Sequence, residues 1–80
     1  MLTEAEKEDL ACLCEYLRDE ARMELIAAAA KSNTDVAAIY SAMAVVRVNQ
    51  ANAVRKLLKA AGIRDVGPEW KIENNRVCPA

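Results

Sequence analysis

From Met1 to Ala61 the chain contains no glycine and no proline, and only Ser32-Asn33-Thr34-Asp35 reads as a stop within that span. Long uninterrupted stretches of this kind fold as helices when their apolar residues recur every three or four positions. They do so here on both sides of the stop. Before it, Leu10, Cys14, Leu17, Ala21, Leu25 and Ala28 fall on one narrow stripe. After it, Ile39, Met43, Val46, Gln50, Val54, Leu57 and Ala61 do the same. The reading is a first helix over about residues 4–31 and a second over about 35–61.

The ends of these helices are marked. Thr3 and Glu6 have the spacing of a capping box, in which each side chain serves the other's backbone N–H. Glu4, Glu6, Glu8 and Asp9 place negative charge at the positive end of the helix dipole. Ser32, Asn33 and Thr34 are all suitable N-caps for the second helix. Gly62 is a natural left-handed stop, with Ile63 placed to meet Leu58 behind it.

Both stripes repeat after 11 residues, near 3.67 residues per turn, which predicts nearly straight helices. Two helices of matching length, ~40 Å each, joined by a few residues, favour an antiparallel hairpin over one continuous helix. Charge favours the same fold. Residues 1–31 hold 8 acids and 4 bases, net −4, and residues 32–62 hold 1 acid and 4 bases, net +3. Folding back sets Glu4 to Asp9 beside Arg55, Lys56 and Lys59, and Arg47 near Glu15, Asp19 or Glu20. Each exposed pair contributes only ~0–1 kcal/mol, so their expected role is to set orientation. The fold class expected is therefore all-α: a hairpin over residues 1–62 with a non-helical, extended tail over 63–80.

A lone hairpin buries one stripe per helix, and this chain has more apolar surface than that. Only Glu24 is polar in the stretch from Met23 to Ala30, and Val36 to Val46 is an 11-residue run without a charge. A helix apolar all round is buried all round. Tyr16, Met23, Ile26, Ala30, Val36, Ala37, Val45 and Val48 are thus the expected interface of a homo-oligomer, most simply a two-fold dimer forming a four-helix bundle. An 80-residue chain also gains from such assembly, because its own core is small. Alanine supplies 16 of the 80 residues, and small side chains allow close helix approach. The outline resembles Rop-like dimers of helical hairpins in architecture alone; no motif is shared, so no residue role is carried over.

Candidate chemistry is sparse. There is no histidine and no glycine-rich loop before a helix, so acid–base, nucleophilic and phosphate-cradling sites lack their usual residues. No catalytic residue, metal or cofactor is assigned. Cys12 and Cys14 lie ~200° apart on a helix and cannot share one metal ion. Glu15, Asp19, Glu20 and Glu24 lack the Glu-x-x-His pairs of a di-iron bundle. Gln50, on the stripe, reads as a buried amide that fixes register or oligomeric state, with a hydrogen bond to a ligand as the alternative.

Two segments point to binding instead. Arg55, Lys56 and Lys59 form a short basic patch that could meet phosphates. In the tail, Trp70 and Ile72 alternate, Asn74-Asn75 can turn, and the segment is a minimal hairpin or an extended arm. Trp70, with Ile72 and Val77, anchors this tail either on its own bundle, which is the favoured reading, or on a partner. The net charge of −1 argues against a generally basic nucleic-acid binder. The N-terminal segment lacks the basic and apolar regions of a secretory signal, and no apolar run approaches the ~20 residues of a membrane span. A cytoplasmic protein with reduced thiols is expected.

The leading expectation is a small non-catalytic helical oligomer that binds another protein, as adaptors, regulators and phage- or mobile-element-encoded inhibitors do. The alternatives are an RNA- or DNA-binding regulator using the basic face, and an oligomer that sequesters a small anionic ligand.

Overall fold

A computed structural model describes all residues, 1–80. Helix α1 spans Glu4–Ala29 and helix α2 spans Thr34–Ala60, and they pack together as a hairpin. Strands β1, Trp70–Glu73, and β2, Arg76–Pro79, follow as a two-stranded antiparallel sheet. The molecule is elongated, 47 × 21 × 13 Å, and no helix is long and apolar enough to cross a membrane. The expected all-α class is corrected by this sheet: the tail is the hairpin of the two forms left open above.

The caps account for the helix bounds. Thr3 Oγ1 accepts from Glu6 N–H at 3.1 Å, and Thr3 N–H donates to Glu6 Oε1 at 2.9 Å. The Thr3 backbone bond, and after it the hydroxyl, hold the Glu6 carboxyl below its usual range. Asn33 Oδ1 accepts from Asp35 N–H and Val36 N–H at 2.9 and 3.1 Å. That cap starts α2 at Thr34, while α1 ends at Ala29, two residues short of the expected boundary. At the far end, Ile63 N–H donates to Leu58 O and Gly62 N–H to Lys59 O. This is a complete Schellman ending, with Gly62 at φ +86°.

The buried stripe of α1 is the expected one: Cys14, Leu17, Ala21 and Leu25, joined by Glu24. The buried stripe of α2 is different. Ala44, Val48, Ala51 and Leu58 face inward, while Ile39, Met43, Val46, Gln50 and Leu57 lie exposed. Helix α2 is thus rotated by one or two residues from the expectation, and Gln50 is not a buried core amide. Ala21 and Ala44 are both wholly inaccessible and share one core cluster. Small residues let the two backbones approach closely, and Leu58, 1% exposed, is the largest side chain to be fully buried.

The sheet closes the side of the hairpin where this core would otherwise be open. Val77 is buried with Ala21, Leu25, Ala44 and Val48, and Trp70 and Ile72 pack on the same cluster. Asn74 and Asn75 connect the strands with φ of 54° and 60°. Those values are the left-handed pair of a type I′ turn, which asparagine tolerates better than most residues. The turn pairs Trp70 with Pro79 and Ile72 with Val77.

Charge does not set the helix register in the way expected. The ion pair that crosses between the helices is Arg47 Nε–Glu24 Oε1 at 3.4 Å, not Arg47 with Glu15, Asp19 or Glu20. Side chains lean toward the N-terminus of their own helix. In a hairpin Arg47 therefore leans toward the turn and Glu24 away from it, and the two meet. Asp19 is already engaged within α1 by Arg18 at 3.1 Å and Arg22 at 3.5 Å. None of Glu4 to Asp9 pairs with Arg55, Lys56 or Lys59; Glu4 binds Lys7 in its own turn.

Candidate functional site

Three surfaces remain once the core is accounted for, and each takes up some of the residues singled out by sequence. The first is the outer side of α1. Tyr16, Met23 and Ile26 are 59–66% exposed, and Ala30 is exposed beside them. At 100° per residue these positions lie on the side of α1 opposite its buried stripe. Val36 and Val45 on α2 are also exposed. Two residues expected at an interface are instead turned inward. Val48 belongs to the chain's own core at 5% exposure. Ala37 is half-buried and lines a small gap with Ser41, Leu25 and Asn75. Both positions lie on the stripe that faces α1 and the sheet, because α2 is rotated from its expected setting.

The second surface is the α2 stripe expected in the core, and it is open in the structure. Ile39, Met43, Val46 and Leu57 present an apolar stripe along α2, with Gln50 in its middle and half-buried Val54 beside it. Leu57 also lines a hollow with Met1, Leu2, Leu10, Ala60 and Ala61, an entirely hydrophobic set. The stripe carries no charge from Val36 to Val46, and Arg47 at its border is occupied by Glu24. That pair is poorly satisfied: Glu24 is 6% exposed, and neither Glu24 Oε1 nor Arg47 Nε makes a hydrogen bond of good geometry. A buried carboxylate held by a single ion contact contributes little net stability, though deleting one partner strands the other.

The third surface is formed where the tail docks. Asn52 Nδ2 donates to Trp70 O and Asn52 Oδ1 accepts from Trp70 N–H, both at 2.8 Å. One amide thus pairs with β1 as a neighbouring strand would. Arg55 Nε donates to Gly67 O at 2.8 Å. The Trp70 ring lies beneath the guanidinium groups of Arg18 and Arg22, 5.3 and 5.6 Å from its centre. Trp70, Ile72 and Val77 therefore all contact their own helices.

The basic patch is dispersed by the same contacts. Arg55 is half-buried and bound to the tail, which leaves Lys56 and Lys59 exposed. Another pair of cations gathers at the far end of the sheet. Arg22 and Arg76 border a 370 Å³ groove whose floor is Leu25, Ile26, Ala29 and Val77. Sequence reasoning missed this groove because Arg22 and Arg76 are 54 positions apart and meet only when the sheet docks.

The three thiols are free; Cys12 is exposed, Cys78 half-buried and Cys14 buried. Cys14 Sγ lies 3.6 Å from Ala51 O. Burial pushes its pKa up, Arg55 opposes that shift, and Glu15 adds to it. No group of three or more Cys, Asp or Glu side chains is placed to hold a metal ion. Compared with protein-family models, with curated proteins and with solved structures, the chain matches none.

Proposed function

We propose that the protein is a small non-catalytic helical oligomer that acts by binding another protein, as an adaptor, regulator or inhibitor in a reducing compartment. The observation that carries this reading is the apolar surface outside the core. Eleven large hydrophobic residues are exposed, and most of those on the helices fall on two separate faces, Tyr16, Met23 and Ile26 on α1 and Val36, Ile39, Met43, Val46 and Leu57 on α2. Monomeric proteins seldom leave contiguous apolar faces to water, and such faces mark interaction sites. Two faces permit two contacts: the stripe of α2 serves assembly, and Tyr16, Met23, Ile26 and Ala30 on α1 serve the protein partner. The tail acts as a clasp that holds the hairpin in shape.

Sedimentation equilibrium at micromolar concentration tests the first half. At least twice the chain mass of 8.8 kDa is expected, and a monomer with full helicity and cooperative unfolding overturns it. For the second half, Met23→Glu with Ile26→Glu should preserve the assembly and abolish recovery of the partner protein from the native source. Loss of assembly instead would move the oligomer contact to α1.

The groove bordered by Arg22 and Arg76 favours a second reading, an oligomer that sequesters a small anionic ligand with an apolar body. Native mass spectrometry of the freshly purified protein distinguishes it through a bound small molecule. The nucleic-acid reading ranks below both, since Arg55 is engaged by the tail and two exposed lysines per chain give a weak phosphate footprint.

A further inference from the structure

We infer that the open stripe of α2 is covered by α2 of a second copy of this chain, packed antiparallel across a two-fold axis at Gln50. The inference rests on the oligomeric reading above and names its seam. Four observations support it. The first is area. A folded monomer of 8.8 kDa is expected to expose roughly 4,800 Å². This chain exposes 5605 Å², an excess of roughly 800 Å², which is about what each partner buries in a stable interface.

The second is the order of the stripe itself. Ile39, Met43, Val46, Gln50, Val54, Leu57 and Ala61 are spaced 4, 3, 4, 4, 3 and 4, so the spacing reads the same in both directions from Gln50. A two-fold axis there sets Met43 against Leu57 of the other copy and Val46 against its Val54. It also sets Ile39, the bulkiest end, against Ala61, the smallest. An isologous interface requires a surface complementary to itself, whereas a contact with an unrelated protein requires no such symmetry.

The third is the chemistry at the centre. An amide side chain holds both donor and acceptor, so two glutamines facing each other across an axis can pair. Two carboxylates or two ammonium groups in that place would repel. Gln50 thus keeps the register role that its place on the stripe suggests, between chains rather than within one. The fourth is the repeat. At 3.67 residues per turn a stripe stays nearly parallel to its helix axis, and the two helices can remain in contact along ~33 Å.

Site-specific cross-linking tests the seam in a Cys12→Ser, Cys78→Ser background, with Cys14 left buried and the background protein as control. Single cysteines are placed at surface positions, and circular dichroism verifies the helices. Under mild oxidation Gln50→Cys should form a covalent dimer, and mixed Met43→Cys and Leu57→Cys chains should cross-link to each other. Leu57→Cys alone should not, because its two copies lie ~21 Å apart along the axis. An oligomer in which Gln50→Cys fails to cross-link overturns the seam and leaves the oligomeric reading standing. A monomer, or a stripe protected only by a different protein, overturns both. Cross-linking of Leu57→Cys as efficient as that of Gln50→Cys would mean parallel helices and also defeats the proposal.

Discussion

Cys14 and Cys12 sit two positions apart and have opposite environments, which follows from the ~200° between them on a helix. Cys14 faces Ala51 across the hairpin, where loss of solvent disfavours the thiolate. A raised folded pKa favours the protonated thiol in the native state. Its contribution to stability is whole below the ordinary value of 9.0 and is lost as pH rises through the higher folded value. Iodoacetamide at mildly alkaline pH should therefore modify Cys12 first and Cys14 only in step with unfolding, as peptide mass mapping over time can show. Equal rates at the two sites would contradict the burial of Cys14. The inward setting of Cys14 was legible because a full helical stripe passes through it. The role of Asn52 was not, because an amide on a helix surface looks the same in sequence whether it faces water or a strand eighteen residues away.

At the scale of elements, the β1–β2 hairpin is too short to stand alone, and Asn52 is its main polar tether. Asn52→Ala removes both hydrogen bonds to Trp70 and leaves a half-buried N–H and C=O without partners. The expected cost is about 1–3 kcal/mol. Detachment should be visible as a red shift of the single tryptophan's fluorescence at temperatures where α1 and α2 remain helical. Loss of helix and sheet together, with no separate transition, would show that the clasp and the hairpin form one unit. Trp70→Ala acts on the same joint, and its cost should be about 2 kcal/mol, below the ~3–5 kcal/mol of a fully buried ring. An unchanged melting temperature would instead free the ring for a partner. The strand character of the tail was readable from the alternation of Trp70 and Ile72 and from Asn74-Asn75. Its docking face was not, since that depends on which side of the hairpin is left open.

At the scale of the molecule, only 10 of 80 residues are buried, so the hairpin and its clasp have a thin core. If a second copy supplies the rest, folding and association are linked, and stability rises with protein concentration. The midpoint of thermal unfolding should climb by several degrees over a hundredfold increase in concentration. A concentration-independent midpoint with a monomeric mass would mean that the monomer is stable with its apolar stripe in water.

Sequence alone determined the two helices. The absence of glycine and proline up to Ala61, the cap at Thr3, the run of capping residues Ser32-Asn33-Thr34 and the stop at Gly62 are local instructions, obeyed by backbone conformations a few residues long. The buried stripe of α1 was also determined, because Leu10, Cys14, Leu17, Ala21, Leu25 and Ala28 form the apolar series that runs unbroken along that helix, whereas Tyr16, Met23, Ile26 and Ala30 cover only part of the opposite side. Helix α2 offers two apolar series. One is built from large residues, Ile39, Met43, Val46 and Leu57, and the other from small ones, Ala44 and Ala51, with Val48 and Leu58. Side-chain size favours burying the first. Tertiary structure chose the second, because alanines let α2 approach Ala21 closely and the sheet then supplies Val77, Ile72 and Trp70 as the missing volume. That choice rests on contacts between segments far apart in the chain, and helical periodicity carries no record of them.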